Sequence, residues 1–372
     1  MPSMPLEGVR VLDFTQQYPG PLSTLLLSEF GAEVWKVEPP TGDLMRSRFG
    51  GVFESVNRHK RGVAANLKDP DDRRMIQEAV GHFDVVVEGF RPGVAKRLEI
   101  DYGTLSSRNP DLVYCSISGF GQTGPYSRWP GHDVNYVGIS PAVWFSGEPS
   151  APPEWTVGVP IADVLTGQFA VMSVMAAIRQ RDQDGFGQYI DLSMSDVMLS
   201  ATEIRLQEYF AKGGPSREEQ MARASFGVFT CADGAQVALG AVEEKFWLAL
   251  CELLGLDDLV SDSELHDFEH RNRQWRTIRP RIAKAFLEES RDVWLEKVDQ
   301  TQLPLTPVNS PEDAMVDPQF AERGVIHRHD DGFHVGLPAI FTGFEPRGSG
   351  PSPGLGEHND AFSAEFTKGR GA

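Results

Sequence analysis

The chain has 372 residues, 40% of them hydrophobic, and a formal net charge of -18. That length allows two domains with substantial cores, the acidic charge argues against nucleic acid and anionic membrane as partners, and the lack of a long apolar run predicts no membrane span. Three scattered cysteines, Cys115, Cys231 and Cys251, suit a reduced compartment better than a disulfide framework, and the first five residues lack the features of a signal peptide, so a cytoplasmic protein is expected.

Residues 9–14 read as a buried strand, Gly20-Pro21 opens a helix over 22–30, Gly31 caps it, and residues 32–37 form the next strand. A helix over 73–82 leads to a third strand at 84–88, and a fourth is predicted at 112–117. Short strands linked by helices imply an α/β fold, a doubly wound, Rossmann-like parallel sheet with ligands at the carboxyl ends of its strands. No Gly-x-Gly-x-x-Gly turn follows the first strand, which argues against a bound dinucleotide. An Ala/Val/Met-rich helix is predicted over 167–181, a strand over 189–192 and one helix over 194–210. Lys212-Gly213-Gly214-Pro215-Ser216 breaks the pattern and marks a linker, taken as 212–224. After it, a hairpin at 226–240 and helices at 244–254, 275–288 and 291–299 predict a smaller α+β domain over 225–329. The Gly/Pro-rich tail from 343 to 358 reads as extended.

Two polar clusters flank the small-residue stretch. Gly131-His132-Asp133-Val134-Asn135-Tyr136 and Ile161-Ala162-Asp163 supply an imidazole and carboxylates, the groups best suited to move protons on carbon near neutral pH. A lone histidine is more often a hydrogen-bonded structural group, and Asp163 also fits a helix N-cap. Residues 46–97 hold eleven basic side chains against seven acidic ones, a local +4 in an acidic chain. Arg73 and Arg74 suit solvated helix pairs, whereas Lys60, Arg61, Arg91 and Arg97, near turns after strand-like runs, suit phosphate. His266, His270, His327, His329 and His334 show no metal-ligand spacing, so no metal is expected.

The run Leu6-Glu7-Gly8-Val9-Arg10-Val11-Leu12-Asp13, then Gly31-Ala32-Glu33-Val34-Trp35-Lys36-Val37-Glu38, Lys60-Arg61, Glu88-Gly89-Phe90-Arg91-Pro92-Gly93, Gly119-Phe120-Gly121-Gln122-Thr123-Gly124-Pro125 and Gly187-Gln188-Tyr189-Ile190-Asp191 resembles the family III CoA-transferases (CaiB/BaiF) in residues and order. With Gly354-Leu355-Gly356-Glu357-His358, the resemblance spans nearly the whole chain. It implies an interlocked homodimer, a large CoA-binding domain over 1–211 completed by the tail 330–372, and an acyl-CoA thioester as substrate, with no tightly bound cofactor. Lys60, Arg61, Gly89, Phe90, Arg91 and Arg97 would then hold CoA. Pro39 stands where relatives often carry a basic residue that stacks on adenine.

Two chemistries compete within this family. In the transferases, the aspartate matching Asp163 attacks the thioester and then carries CoA as an aspartyl thioester. In the racemases it pairs with a histidine across the α-carbon. The Gly131–Tyr136 segment and Gly240-Ala241-Val242-Glu243 resemble the racemase motifs, which makes a racemase of 2-methylacyl-CoA thioesters the main reading, with His132 and Asp163 as the two bases, Glu243 and Asp133 orienting the imidazole, and the backbone N–H of Asp163 or its neighbour facing the enolate. Against it, Val159-Pro160-Ile161-Ala162-Asp163-Val164 is more similar to a transferase. A CoA-transferase acting through Asp163 is the alternative, and a catalytically inactive acyl-CoA-binding relative is the second.

Overall fold

The computed structural model describes residues 3–49, 51–155, 158–329 and 332–367. The chain divides into two compact units, residues 1–144, 154–207 and 324–372 in the first, and 145–153 with 208–323 in the second.

The first unit is built on six parallel strands: β1 (Arg10–Asp13), β2 (Glu33–Glu38), β3 (Arg61–Ala64), β4 (Val85–Glu88), β5 (Val113–Ser118) and β6 (Tyr189–Ser193), in the order β3-β2-β1-β4-β5-β6. The order reverses between β1 and β4, which leaves a crevice at their carboxyl ends. Strand side chains alternate between faces, and the two cores follow that period of two. Val11, Val34, Val85 and Val87 face one core with Ala170, Val174 and Ile178. Leu12, Trp35, Val86 and Tyr114 face the other with Ile76, Phe362 and Phe366. Both faces are covered, as an all-parallel sheet requires.

Helix Ile161–Asp184 is long and apolar enough to cross a membrane by length and composition, although polar residues interrupt it. Here it is a core helix, with Ala170, Val171, Val174, Ala177 and Ile178 buried against the sheet. The helix expected over 194–210 is two, Met194–Ala201 and Glu203–Ala211. Thr202 lies at the break and its hydroxyl donates to the carbonyls of Leu199 and Met198 at 2.9 and 3.2 Å, the back-bonding that bends helices.

In the second unit β7 (Phe226–Thr230), β8 (Gln236–Gly240) and β9 (Leu305–Pro307) pair antiparallel. They pack with helices Glu244–Leu254 and Trp275–Phe286 around Trp247, Phe286 and Trp294. The 212–224 segment, read as a linker, carries the capped helix Arg217–Met221. The tail adds a hairpin of β10 (Ile326–His329) and β11 (Gly332–Val335) and the helix Asn359–Phe366. Phe362 and Phe366 meet the Trp35 ring edge-on, with centroids 5.3 and 5.2 Å away.

Candidate active site

Carboxylates at the ends of β1 and β4 frame the crevice. Asp13 is fully buried and accepts from the Thr15 N–H at 2.9 Å, the Thr24 hydroxyl at 2.6 Å and Lys60 Nζ at 3.1 Å. Lys60 Nζ also reaches the Pro21 carbonyl at 2.9 Å, Thr24 Oγ1 at 2.7 Å and Asn57 Oδ1 at 2.9 Å. With its side chain fully buried and four acceptors around the ammonium, Lys60 has no free donor for a phosphate. It locks the β1 end to helix Pro19–Glu29, which corrects the expectation that it binds CoA. Arg61 is also committed elsewhere. It starts β3 at the amino edge of the sheet, pairs with Glu33 at 3.2 Å and Glu365 at 3.7 Å, and lies over the Trp35 ring at 4.8 Å.

Gly89, Phe90 and Arg91 follow β4 directly, on the carboxyl edge of the sheet. The Phe90 N–H donates to Glu88 Oε2 at 2.6 Å, and the Ser116 hydroxyl makes a short bond to Glu88 Oε1. Burial pushes the Glu88 carboxyl up to about 7, against those two donors and with Asp191 adding to the rise. Gln122 bridges the next loop, its side-chain amide donating to Ser116 Oγ at 2.8 Å and its N–H to Asp191 Oδ2 at 3.1 Å. Arg91 is exposed, and its charge acts on the Tyr136 hydroxyl. Arg97 ends the short helix Val94–Arg97 and is exposed.

Asp163 sits in the first turn of Ile161–Asp184, whose N-cap is Pro160. Asp133 begins the helix Asp133–Ile139 and is buried; its Oδ1 accepts from the Ala162 N–H at 2.7 Å and the Asp163 N–H at 3.3 Å. It therefore occupies the helix N-terminus, where the dipole favours a carboxylate. Its Oδ2 is buried and has no hydrogen-bond partner among the described residues. Asp133 thus holds two amides of the Asp163 helix through Oδ1, and the Asp163 N–H, one of the donors expected to face an enolate, is engaged by it. Burial, with Asp133 second, raises the Asp163 carboxyl to about 7.

His132 is the exposed N-cap residue of Asp133–Ile139, and its backbone N–H donates to Asn135 Oδ1 at 2.9 Å. Glu243 belongs to the second unit, exposed at the N-cap of Glu244–Leu254 without a side-chain capping bond.

Two tyrosines complete the surroundings of Asp163. Burial first, then the Asp163 charge, raises the hydroxyl of Tyr18, and the same causes push Tyr136 up to about 12. Tyr136 fits because Gly119 and Gly131 lack a Cβ; one added at either would lie 2.5 or 2.7 Å from its ring. Tyr18 follows Gln17, a non-glycine residue at φ 70° whose N–H donates to Asp43 at 3.2 Å. Neither tyrosine was assigned a role from sequence. The quoted Gly131–Tyr136 motif contains Tyr136, whereas Tyr18 carries no signal beyond its place after β1.

The model of CoA-transferase family III matches residues 6–359. The chain belongs to that family. Among curated relatives, the acetyl-CoA:oxalate CoA-transferase of Acetobacter aceti is 32% identical over 376 residues, 98% of this chain and 96% of that protein. The succinyl-CoA:mesaconate CoA-transferase of Haloarcula marismortui is 33% identical, covering 95% of this chain and 94% of that one. A solved CaiB/BaiF family protein from Brucella suis superposes with TM-score 0.87 at 29% identity, covering 98% of this chain and 100% of that structure. The two curated relatives bear CoA-transferase names, so the racemase expectation gains no support from them.

Proposed function

We propose that this chain is a CoA-transferase that moves CoA from an acyl-CoA thioester to a free carboxylate through Asp163, by the route the family resemblance implies. The observation that carries the reading is the Asp163 carboxyl, half-buried at the carboxyl edge of the sheet and poised near neutrality by burial and Asp133. A carboxylate of raised pKa is a stronger base and nucleophile than a solvated one, yet is still largely ionised above neutral pH.

One Asp163 oxygen adds to the thioester carbonyl, and the carbon–sulfur bond breaks to give an acyl-aspartyl anhydride and CoA thiolate. The thiolate attacks the aspartyl carbonyl of that anhydride, releasing the donor acid as its carboxylate and leaving an Asp163–CoA thioester. The acceptor carboxylate then attacks this thioester, expelling the thiolate and forming a second anhydride. Attack of the thiolate on the acceptor's acyl carbon yields the new acyl-CoA and restores Asp163. No proton is abstracted from carbon, so His132 is not required as a base.

CoA enters as a substrate. Arg91 and Arg97 are the phosphate ligands of this reading, since a chain of charge -18 must hold a polyanion by local cations. Homodimerisation, with interlocked chains, is the assembly the family resemblance implies.

Mass spectrometry of the protein mixed with acetyl-CoA or succinyl-CoA, without acceptor, tests the mechanism. The peptide containing Asp163 should gain CoA, and Asp163→Asn should lose the adduct with CoA binding retained. Deuterium uptake at C2 of a 2-methylacyl-CoA, with no adduct, would overturn it.

A further inference from the structure

The helix Asp133–Ile139 connects the carboxylate region to a second feature. Asp133, Tyr136 and Ser140 are spaced three and seven residues along it, one face of a helix, and Asp133 bonds the first turn carrying Asp163. At about 1.5 Å per residue, Ser140 lies roughly 10 Å further along. There a cleft of about 230 Å³ opens, lined by Phe120, Tyr126, Ile139, Ser195, Asp196 and Leu199 among others.

Aromatic rings run from Tyr136 to the cleft. The Phe120 ring meets Tyr136 edge-on, with centroids 5.2 Å apart, and meets Tyr126 at 6.0 Å and Trp129 at 6.3 Å in the same manner. Tyr126 and Trp129 stack at 4.0 Å, yet Trp129 is 57% exposed and Tyr126 38%. A stacked, partly exposed aromatic pair is a platform for a further ring. The lining also contains a carboxylate, Asp196, and neither lysine nor arginine among the described residues. A second carboxylate on the substrate would meet a like charge in that lining. Oxalate and mesaconate, named in the two relatives, each carry two carboxylates.

We propose that this cleft is the acyl pocket and that it takes an uncharged acyl group bearing an aromatic ring, seated against Tyr126, which Trp129 backs from outside the lining. The proposal rests on the CoA-transfer reading. The volume is adequate, since a cavity of ~150 Å³ already holds benzene. Roughly 10 Å along the helix leaves room for a short alkyl spacer between the thioester carbon and the ring.

The test is calorimetric binding of 3-phenylpropanoyl-CoA, acetyl-CoA and succinyl-CoA to the full chain, alongside the Asp163–CoA adduct assay. The aryl thioester should bind about tenfold more tightly than either other, and Trp129→Ala or Tyr126→Ala should erase that preference. Equal or tighter binding of succinyl-CoA, or a preference that survives both substitutions, would overturn the pocket. Aryl preference without any Asp163 adduct would retain the pocket and reject the transferase reading. Loss of dimer mass in Trp129→Ala, with the preference retained, would assign the platform to a second copy of the chain.

Discussion

Asp163 shows how a residue acquires chemistry from its surroundings. An aspartate in the first turn of a helix ordinarily gains from the dipole, which favours the charged form. Burial and the Asp133 carboxylate act in the opposite direction and prevail, leaving the group near 7. Because the folded-state value is raised, the carboxylate proposed as nucleophile is lost as pH falls through about 7 and complete above it, so adduct formation should fall in acid with a midpoint there. Asp133→Asn removes the smaller of the two causes while its side-chain oxygen can still accept from the Ala162 N–H. The midpoint in a pH–rate profile of adduct formation should move downward but stay above that of a solvated aspartate, because burial remains. A midpoint unmoved by Asp133→Asn would mean that another group controls the profile. His132→Ala is expected to leave CoA transfer within a fewfold of wild type; a loss of ~10²–10⁴-fold is what removing a general base would cost, and would restore the racemase chemistry.

At the scale of elements, helices and strands are held by close backbone approaches that a Cβ would destroy. Gly187 joins the long helix to β6, and its N–H donates to the Pro110 carbonyl at 3.0 Å. A Cβ there would lie 2.1 Å from the Leu112 carbonyl oxygen and 2.4 Å from its carbon, backbone atoms that cannot swing away. Gly187→Ala should therefore cost about 2–3 kcal/mol, the upper range for overpacking, read as a lower denaturation midpoint with an unchanged m-value. The elements that escaped sequence reading share a physical cause. β3 spans Arg61–Ala64 with a single large apolar residue, Val63, and sits at the sheet edge, so it has neither length nor alternation. The hairpin of β10 and β11 contains three histidines, a composition without strand signal. The split at Thr202 turns on one hydroxyl choosing backbone carbonyls.

For the molecule as a whole, the tail is part of the first unit's core. Phe362 is fully buried between Trp35 and Phe83, so the chain closes over β1 and β2 only after more than three hundred residues have intervened. Contacts that distant in sequence are slow to form and must be satisfied together. The interlocked dimer proposed from the family resemblance would add the same demand between chains, since linked chains cannot separate without unfolding. The mass in sedimentation should be that of two chains at every dilution, with dissociation and unfolding coincident in denaturant. A folded monomer appearing on dilution would exclude the interlocking.

The sequence by itself determined the alternating strands and helices, the parallel sheet, the place of Asp163 at a helix start and, through its ordered motifs, the family. These are legible because periodicity and turn chemistry act over a few residues. Only the tertiary structure decided which charged residues are available. Lys60 and Arg91 belong to one basic stretch, yet Lys60 is buried against Asp13, forty-seven positions away, while Arg91 stays exposed on the loop after β4. Likewise Asp133 and His132 are neighbours in sequence, but helix geometry turns one inward to the Asp163 amides and leaves the other exposed. Charge is a property of the residue; its partner is a property of register and packing, which no local pattern encodes.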